Sequence, residues 1–401
     1  MTNIAKTANN TLSSFNPPQR TLMGPGPSDV NPRILSALGR PTIGHLDPEF
    51  IRLMDEIKVL LQTVFQTKNE LTLPISAPGS AGMECCFANL LECGDTVIVC
   101  QNGVFGGRMK ENVIRCGAKA IMVEDDWGTA ISPDKLEAAI KANPDAKLVA
   151  MVHAETSTGV ESDIDTLCGF AQKAGMLTIV DTVTGLAGID VNVDRWGADA
   201  VYSGTQKCLS CIPGLSPVTF SAKAVEVIKN RKSAVQSWFL DLNLILGYWG
   251  GGAKRAYHHT APINPLYALH EALLIVVEEG LKNSWARHAL NHRALKDGLE
   301  AMGLSISVDE KCRLPQLNSV AIPDGVDDAA LRSTLLRDFN LEIGAGLGAL
   351  AGKVWRIGLM GYGSNPINVR RCLTSLESAL LDQDYSLKAG AAVNAANKVY
   401  G

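Results

Sequence analysis

Short runs of aliphatic and β-branched residues alternate with amphipathic stretches from residue 71 to residue 221. The runs at 71–75, 96–100, 118–123, 148–153, 178–181, 200–203 and 218–221 have the length and apolar continuity of strands buried on both faces. Between them, 81–91, 132–141 and 164–174 read as helices. Strand and helix in alternation predict right-handed crossovers and a mostly parallel seven-stranded sheet, covered on both faces. Such sheets bind ligands beyond the carboxyl ends of their strands. After Tyr257-His258-His259-Thr260 the pattern turns helical, from about 265 through 301. Runs at 304–308, 319–322, 342–343 and 354–357, with helices between, then predict a smaller α/β domain. The expected division is an N-terminal arm over 1–23, a large domain over 24–282 and a small C-terminal domain over 283–401, coupled by the long helix.

Composition narrows the class. A chain of 401 residues with 46% hydrophobic and 19% charged positions supports a large core and a globular enzyme. Its 37 basic and 41 acidic residues leave a net charge of −4, which offers nothing to nucleic acid or an anionic membrane. The strongest apolar run, Ala272-Leu273-Leu274-Ile275-Val276-Val277, is bracketed by Glu271 and Glu278-Glu279, as a core helix is and a membrane span is not. The first 20 residues lack the apolar centre of a signal peptide and read as a flexible arm. The ten cysteines show no paired metal-ligand spacing: Cys85-Cys86 are adjacent, and Cys208/Cys211 form one lone C-x-x-C. Most of the others read as buried free thiols of a reducing compartment, and the cytoplasm is expected.

The candidate chemistry sits at strand ends. Lys207, in Ser203-Gly204-Thr205-Gln206-Lys207-Cys208, follows the run that ends in Tyr202, and Asp181 closes an earlier run. A lysine and a carboxylate so placed are what pyridoxal phosphate requires: an amine for the Schiff base, and a partner that keeps the pyridine nitrogen protonated. Ser76-Ala77-Pro78-Gly79-Ser80-Ala81-Gly82 follows a strand and opens a helix, a setting that binds phosphate. It matches neither nucleotide-binding glycine motif. The glycine-dense Gly344-Ala345-Gly346-Leu347-Gly348 reads as a loop. In His153-Ala154-Glu155-Thr156-Ser157-Thr158-Gly159, Ser157 or Thr158 is placed to hydrogen-bond the cofactor. Arg356, flanked by apolar residues on a predicted strand, needs a partner: an internal carboxylate or a substrate carboxylate. His258 and His259, on an extended segment, are expected to point to opposite sides, and no metal site is expected there.

Together these segments resemble the alanine–glyoxylate/serine–pyruvate aminotransferases, class V members of the fold-type I pyridoxal-phosphate enzymes. The similarity runs from Gly24-Pro25-Gly26-Pro27-Ser28 to about Leu380, through Ile43-Gly44-His45-Leu46-Asp47-Pro48, Asn102-Gly103-Val104-Phe105-Gly106, His153 to Gly159, Ser203 to Lys207, Tyr257 to Thr260 and Gly352 to Gly358. The resemblance implies that Lys207 forms the internal aldimine and shuttles the proton, and that Asp181 pairs the pyridinium nitrogen. It implies that Phe105 and Val183 sandwich the ring and that Ser157 hydrogen-bonds the cofactor. Gly79, Ser80 and Gln206 hold the phosphate, joined by Tyr257 and Thr260 from a partner subunit. Arg356 binds the substrate carboxylate, and Gly26, His45 and Asn264 line the substrate pocket. Sites shared between chains imply a homodimer. The implied reaction is transamination of L-alanine or L-serine with glyoxylate or pyruvate; apart from Arg356, no arginine is expected against a second substrate charge.

Two departures stand out: Ala77-Pro78 interrupts the usual Ser-Gly-Ser/Thr-Gly phosphate turn, and Phe105 replaces the tryptophan of several relatives. The ureidoglycine–glyoxylate aminotransferases of purine breakdown share the scaffold but carry Gln where this chain has His45, with Asn at the position of Asn264. His45 therefore favours alanine–glyoxylate exchange. A class V lyase needs a mobile nucleophilic cysteine, and Cys312 in Lys311-Cys312-Arg313-Leu314-Pro315 is held too tightly for that. A non-catalytic protein of this fold would have lost Lys207, Asp181 or Arg356, and a nucleotide-binding oxidoreductase would bind NAD and not be yellow.

Overall fold

The computed structural model describes residues 14–250 and 255–401, so residues 1–13 of the expected arm lie outside the described residues. The central sheet contains β1 (Leu71–Ile75), β2 (Thr96–Gln101), β3 (Lys119–Glu124), β4 (Leu148–Val152), β5 (Leu177–Asp181), β6 (Ala200–Tyr202) and β7 (Ser216–Phe220). Their order is β1-β7-β6-β5-β4-β2-β3. β7 is antiparallel to both its neighbours, and every other pairing is parallel. β1, β4, β5 and β7 are buried at every position, which is why they read as continuous apolar runs without alternation. The register sets Asp181 opposite Val152 on one side and Tyr202 on the other. The segments that leave β4, β5 and β6 therefore emerge side by side.

Two helices bring further site residues to that edge. α1 (Gly79–Leu90) packs on β6 and β7, and α2 (Val104–Arg115) packs on β2, β3 and β4. The long helical stretch is two helices, α3 (Ile263–Glu279) and α4 (Leu281–Ala301). They part at Gly280, whose φ of 83° and ψ of 135° end the first helix as only glycine does without strain.

A second sheet holds β8 (Leu317–Ala321), β9 (Gly344–Ala345) and β10 (Val354–Gly358) in the antiparallel order β8-β10-β9. The glycine-dense segment expected as a loop thus supplies a strand. A Cβ on Gly344 would lie 2.4 Å from Pro25 Cδ, so glycine lets β9 press against the segment that meets Lys207. The strand expected over 304–308 shrinks to one bridge, Ile306 to Val320. Leu341–Glu342 pairs in parallel with Thr21–Leu22, which pins the end of the expected arm. One buried core surrounds the large sheet; a second gathers Met23, Leu295, Leu299, Trp355, Ile357 and Leu373. Among the described residues no helix is long and apolar enough to cross a membrane.

Candidate active site

Lys207 lies in the turn beyond β6 and is only 8% exposed. Its Nζ donates to the Pro25 carbonyl, while Ser28 clasps the same turn through Oγ to the Lys207 carbonyl at 2.7 Å and N–H to the Gln206 carbonyl at 3.0 Å. Gly26 has φ +98°, and a Cβ there would sit 2.5 Å from the lysine nitrogen, so only glycine allows the approach. Burial, with Arg356 and Arg108 nearby, pushes the ammonium down to about 8, against the pull of Asp181. The ammonium still predominates near pH 7, but the neutral amine is far more populated than in an ordinary lysine.

Asp181, at the end of β5, accepts from the Tyr202 hydroxyl at 2.7 Å and from the Val183 N–H at 2.8 Å. Burial raises its carboxyl to about 6, and those two donors and the charge of Lys207 hold it from going higher. Val183 stands between two glycines: a Cβ on Gly79 or on Gly204 would meet its methyl groups at 3.4 Å. Gly79 opens α1, whose N-terminus no side chain caps. Ser80 beside it is exposed, and Gln206 Oε1 is buried without a partner.

α2 presents Phe105, with the guanidinium of Arg108 over its ring at 4.7 Å from the centroid. Arg108 is thus a second arginine by the site, one the sequence reading missed. Its signal was its place three positions after Phe105, on the same helix face. Ser157 Oγ is already engaged, donating to Glu155 at 2.5 Å and accepting from the Val104 N–H at 2.9 Å. The Thr158 hydroxyl, the other candidate in that segment, is buried and unpartnered. Glu155 was also missed, since nothing near it in the chain marks it out. Burial, reinforced by Asp181, raises it to about 7 against hydrogen bonds from Ser157 and Phe105.

Arg356 lies in β10 and is 7% exposed. Nε donates to the Ala345 carbonyl at 2.8 Å and Nη1 to the Thr156 carbonyl at 3.2 Å. Among the described residues it forms no direct ion pair, although the buried charge of Glu155 acts on it. Burial lowers its pKa, and Lys207 shares its field. Glu155 acts on Arg356 and Asp181 on Lys207 from a distance, so the two cations are partly offset, and neither is paired directly with a carboxylate among the described residues.

The remaining predicted residues form a separate rim. Tyr257 is 61% exposed and Thr260 is exposed, their hydroxyls 3.4 Å apart. The His45 ring stands 5.0 Å from that of Tyr257. Asn264 is committed: its amide donates to the carbonyls of Leu38 and Arg40 at 2.9 and 2.8 Å and accepts from Thr42 at 2.6 Å, which shapes the loop before His45. His258 and His259 do not point apart as expected. Their Nδ1 atoms meet at 2.7 Å, and His259 Nε2 reaches Ser76 Oγ at 2.7 Å. The segment is folded back on itself, with burial pushing His259 down to about 4. Among the described residues no group of three potential ligands could hold a metal.

Comparison with known proteins places this geometry. The family model for Aminotransferase class-V matches residues 34–362. The chain is 38% identical to the (S)-ureidoglycine–glyoxylate transaminase of Bacillus subtilis, over 96% of both chains. It is 39% identical to the alanine–glyoxylate aminotransferase of Felis catus, over 90% of this chain and 88% of that one. Among solved structures, the ureidoglycine–glyoxylate aminotransferase of Bacillus subtilis superposes with a TM-score of 0.95 at 39% identity, covering 97% of this chain and 100% of that one. The alanine–glyoxylate aminotransferase of a Nostoc species gives 0.91 at 44%, covering 94% and 100%.

Proposed function

Because the chain belongs to the class-V aminotransferases, we propose that it transfers the amino group of L-alanine or L-serine to glyoxylate, or to pyruvate, releasing glycine or alanine and a keto acid. Class-V membership brings pyridoxal 5'-phosphate as cofactor. The residues fit that group: a helix start at Gly79 that no side chain caps, the amide of Gln206, whose NH2 can donate to a phosphate, and the buried cations Lys207 and Arg356. The observation that carries the reading is Arg356, buried on a strand beside Lys207 and without a direct ion pair among the described residues.

When bound, the cofactor supplies an electron sink for charge that develops at the substrate Cα. Arg356 takes the substrate carboxylate in its planar fork and fixes which bond at Cα faces Lys207. Lys207 Nζ, whose ammonium burial makes easier to deprotonate, would be both the amine that attaches the cofactor and the base that moves the Cα proton. Asp181 would hold the proton on the ring nitrogen, with Phe105, Val183 and Ser157 as the residues that would hold the ring. Gly79, Ser80 and Gln206 would receive the phosphate, with Tyr257 and Thr260 of a second copy of this chain. Gly26, His45 and Asn264 shape the substrate pocket.

The homodimer is supported by a tyrosine and a threonine of the phosphate set that stand exposed in the single chain. Ten unpaired cysteines fit a reducing compartment, the cytoplasm. The break at Gly280 supports a domain boundary near residue 282, with the large domain over 24–282 and the small one over 283–401. Half-reactions followed by the visible band of the bound cofactor test the reading. Bleaching by L-alanine or L-serine and recovery with glyoxylate are expected. A yellow protein that no amino acid bleaches would overturn transamination, and bleaching by ureidoglycine alone would move the chain to purine breakdown.

A further inference from the structure

α2 carries the ring-stacking Phe105, yet its N-cap is Gly103, which has no side chain to satisfy the free N–H groups of the first turn. Those groups are met from another part of the chain. The Phe105 N–H donates to Glu155 Oε2 at 3.2 Å. The Val104 N–H donates to Ser157 Oγ at 2.9 Å, and that hydroxyl donates in turn to Glu155 Oε1 at 2.5 Å. The Ser157 N–H reaches the same oxygen at 2.9 Å. Glu155 is fully buried, and a Cβ on Gly103 would lie 2.4 Å from its carboxyl carbon, so the contact exists only because position 103 is glycine. A negative group at this point also favours the positive end of α2.

The geometry points to Glu155 as a positioning residue for the cofactor: acting as an N-cap from a distant strand, its carboxylate locks the ring of Phe105 and the hydroxyl of Ser157 in one arrangement. The inference rests on the proposed aminotransferase reading, since it takes Phe105 and Ser157 to face the cofactor. Glutamate is required over glutamine because every group around the carboxylate is a donor. Whichever way a Glu155→Gln amide turns, its NH2 faces the N–H of Phe105 or the two donors of Ser157.

The test is pyridoxal phosphate binding by the full-length apoprotein, with visible circular dichroism of the loaded enzyme, for wild type, Glu155→Gln and Glu155→Asp. Glu155→Gln is expected to weaken cofactor binding by about ten- to hundredfold and to diminish the visible dichroic band. The KM for L-alanine, which Arg356 sets, should change less than about threefold. Glu155→Asp keeps the charge but withdraws it by one methylene, and an intermediate loss of cofactor affinity is expected; it decides the matter if Glu155→Gln does not fold. Cofactor affinity and dichroism at the wild-type level in either folded variant overturn the inference. A rise in alanine KM equal to the loss in cofactor affinity also overturns it, since a general loosening would move both. Wild-type protein that fails to bind pyridoxal phosphate or to exchange alanine with glyoxylate would instead sink the parent reading, so the two failures are distinguishable.

Discussion

The buried centre around Lys207 and the rim around Tyr257 are built on opposite terms. Asp181, Glu155, Ser157 and Arg356 are each held by two or more hydrogen bonds from their own chain, and all are buried. Tyr257 and Thr260 have little more than each other, at 3.4 Å, and face outward. Burial shifts the groups of the centre toward their neutral forms, Asp181 to about 6 and Lys207 to about 8. One chain therefore suffices to tune the buried groups, whereas Tyr257 and Thr260 stand ready for a contact from outside the chain.

The sharpest way to break the comparison is at its centre. Lys207→Ala should lower transamination by more than about 1,000-fold, through loss of both amine and base, while leaving the protein folded; steady-state rates and thermal melting check this. Arg356→Lys keeps the charge but loses the planar fork. It should raise the KM of amino donor and keto acid by about ten- to hundredfold with a smaller fall in kcat.

At the rim, Tyr257→Ala/Thr260→Ala should weaken cofactor binding by about tenfold as a homodimer. Mixing those chains with Lys207→Ala chains should restore activity, since each hybrid dimer regains one site with an intact lysine and an intact rim. Recovery absent after verified subunit exchange would mean that the rim does not serve a neighbouring chain, and the contrast would collapse.

The smallest effect concerns pH. The Lys207 ammonium is depressed from 10.5 to about 8, so the folded apoprotein disfavours its charged form. Its contribution to stability is present above the unfolded value and is lost as pH falls through about 8. The melting temperature of wild-type apoprotein, measured against Lys207→Met, should therefore gain on the variant as pH rises from 7 to 10. A gap that is flat with pH would show that the lysine is not desolvated.

Much of this was legible from the chain. β1, β4 and β5 fall almost where the apolar runs lie, because strands buried on both faces leave an uninterrupted signature. Lys207, Asp181 and Arg356 stood out because charged residues at the ends or middle of such runs need a reason to be there. Other features gave no local sign. Gly344–Ala345 is a strand only because β10 pairs with it, and its glycines conceal that in any propensity reading. The imidazoles of His258 and His259 meet because the segment folds back, whereas an extended chain would separate them. Glu155 looks like one polar residue among several after a strand, since its partner Phe105, and Val104 bonded to its neighbour Ser157, are about fifty positions away.

By itself, then, the sequence determined the alternation that makes a parallel sheet, the strand ends where ligands gather, and the lysine–aspartate pair, because burial periodicity and isolated charges are properties of neighbouring residues. The tertiary structure alone decided that Arg356 donates to the carbonyls of Ala345 and Thr156, that Ser157 is already bonded to Glu155, and that Asn264 is spent on the loop before His45. Hydrogen-bond satisfaction depends on which distant groups arrive within about 3 Å, and no local pattern records that distance.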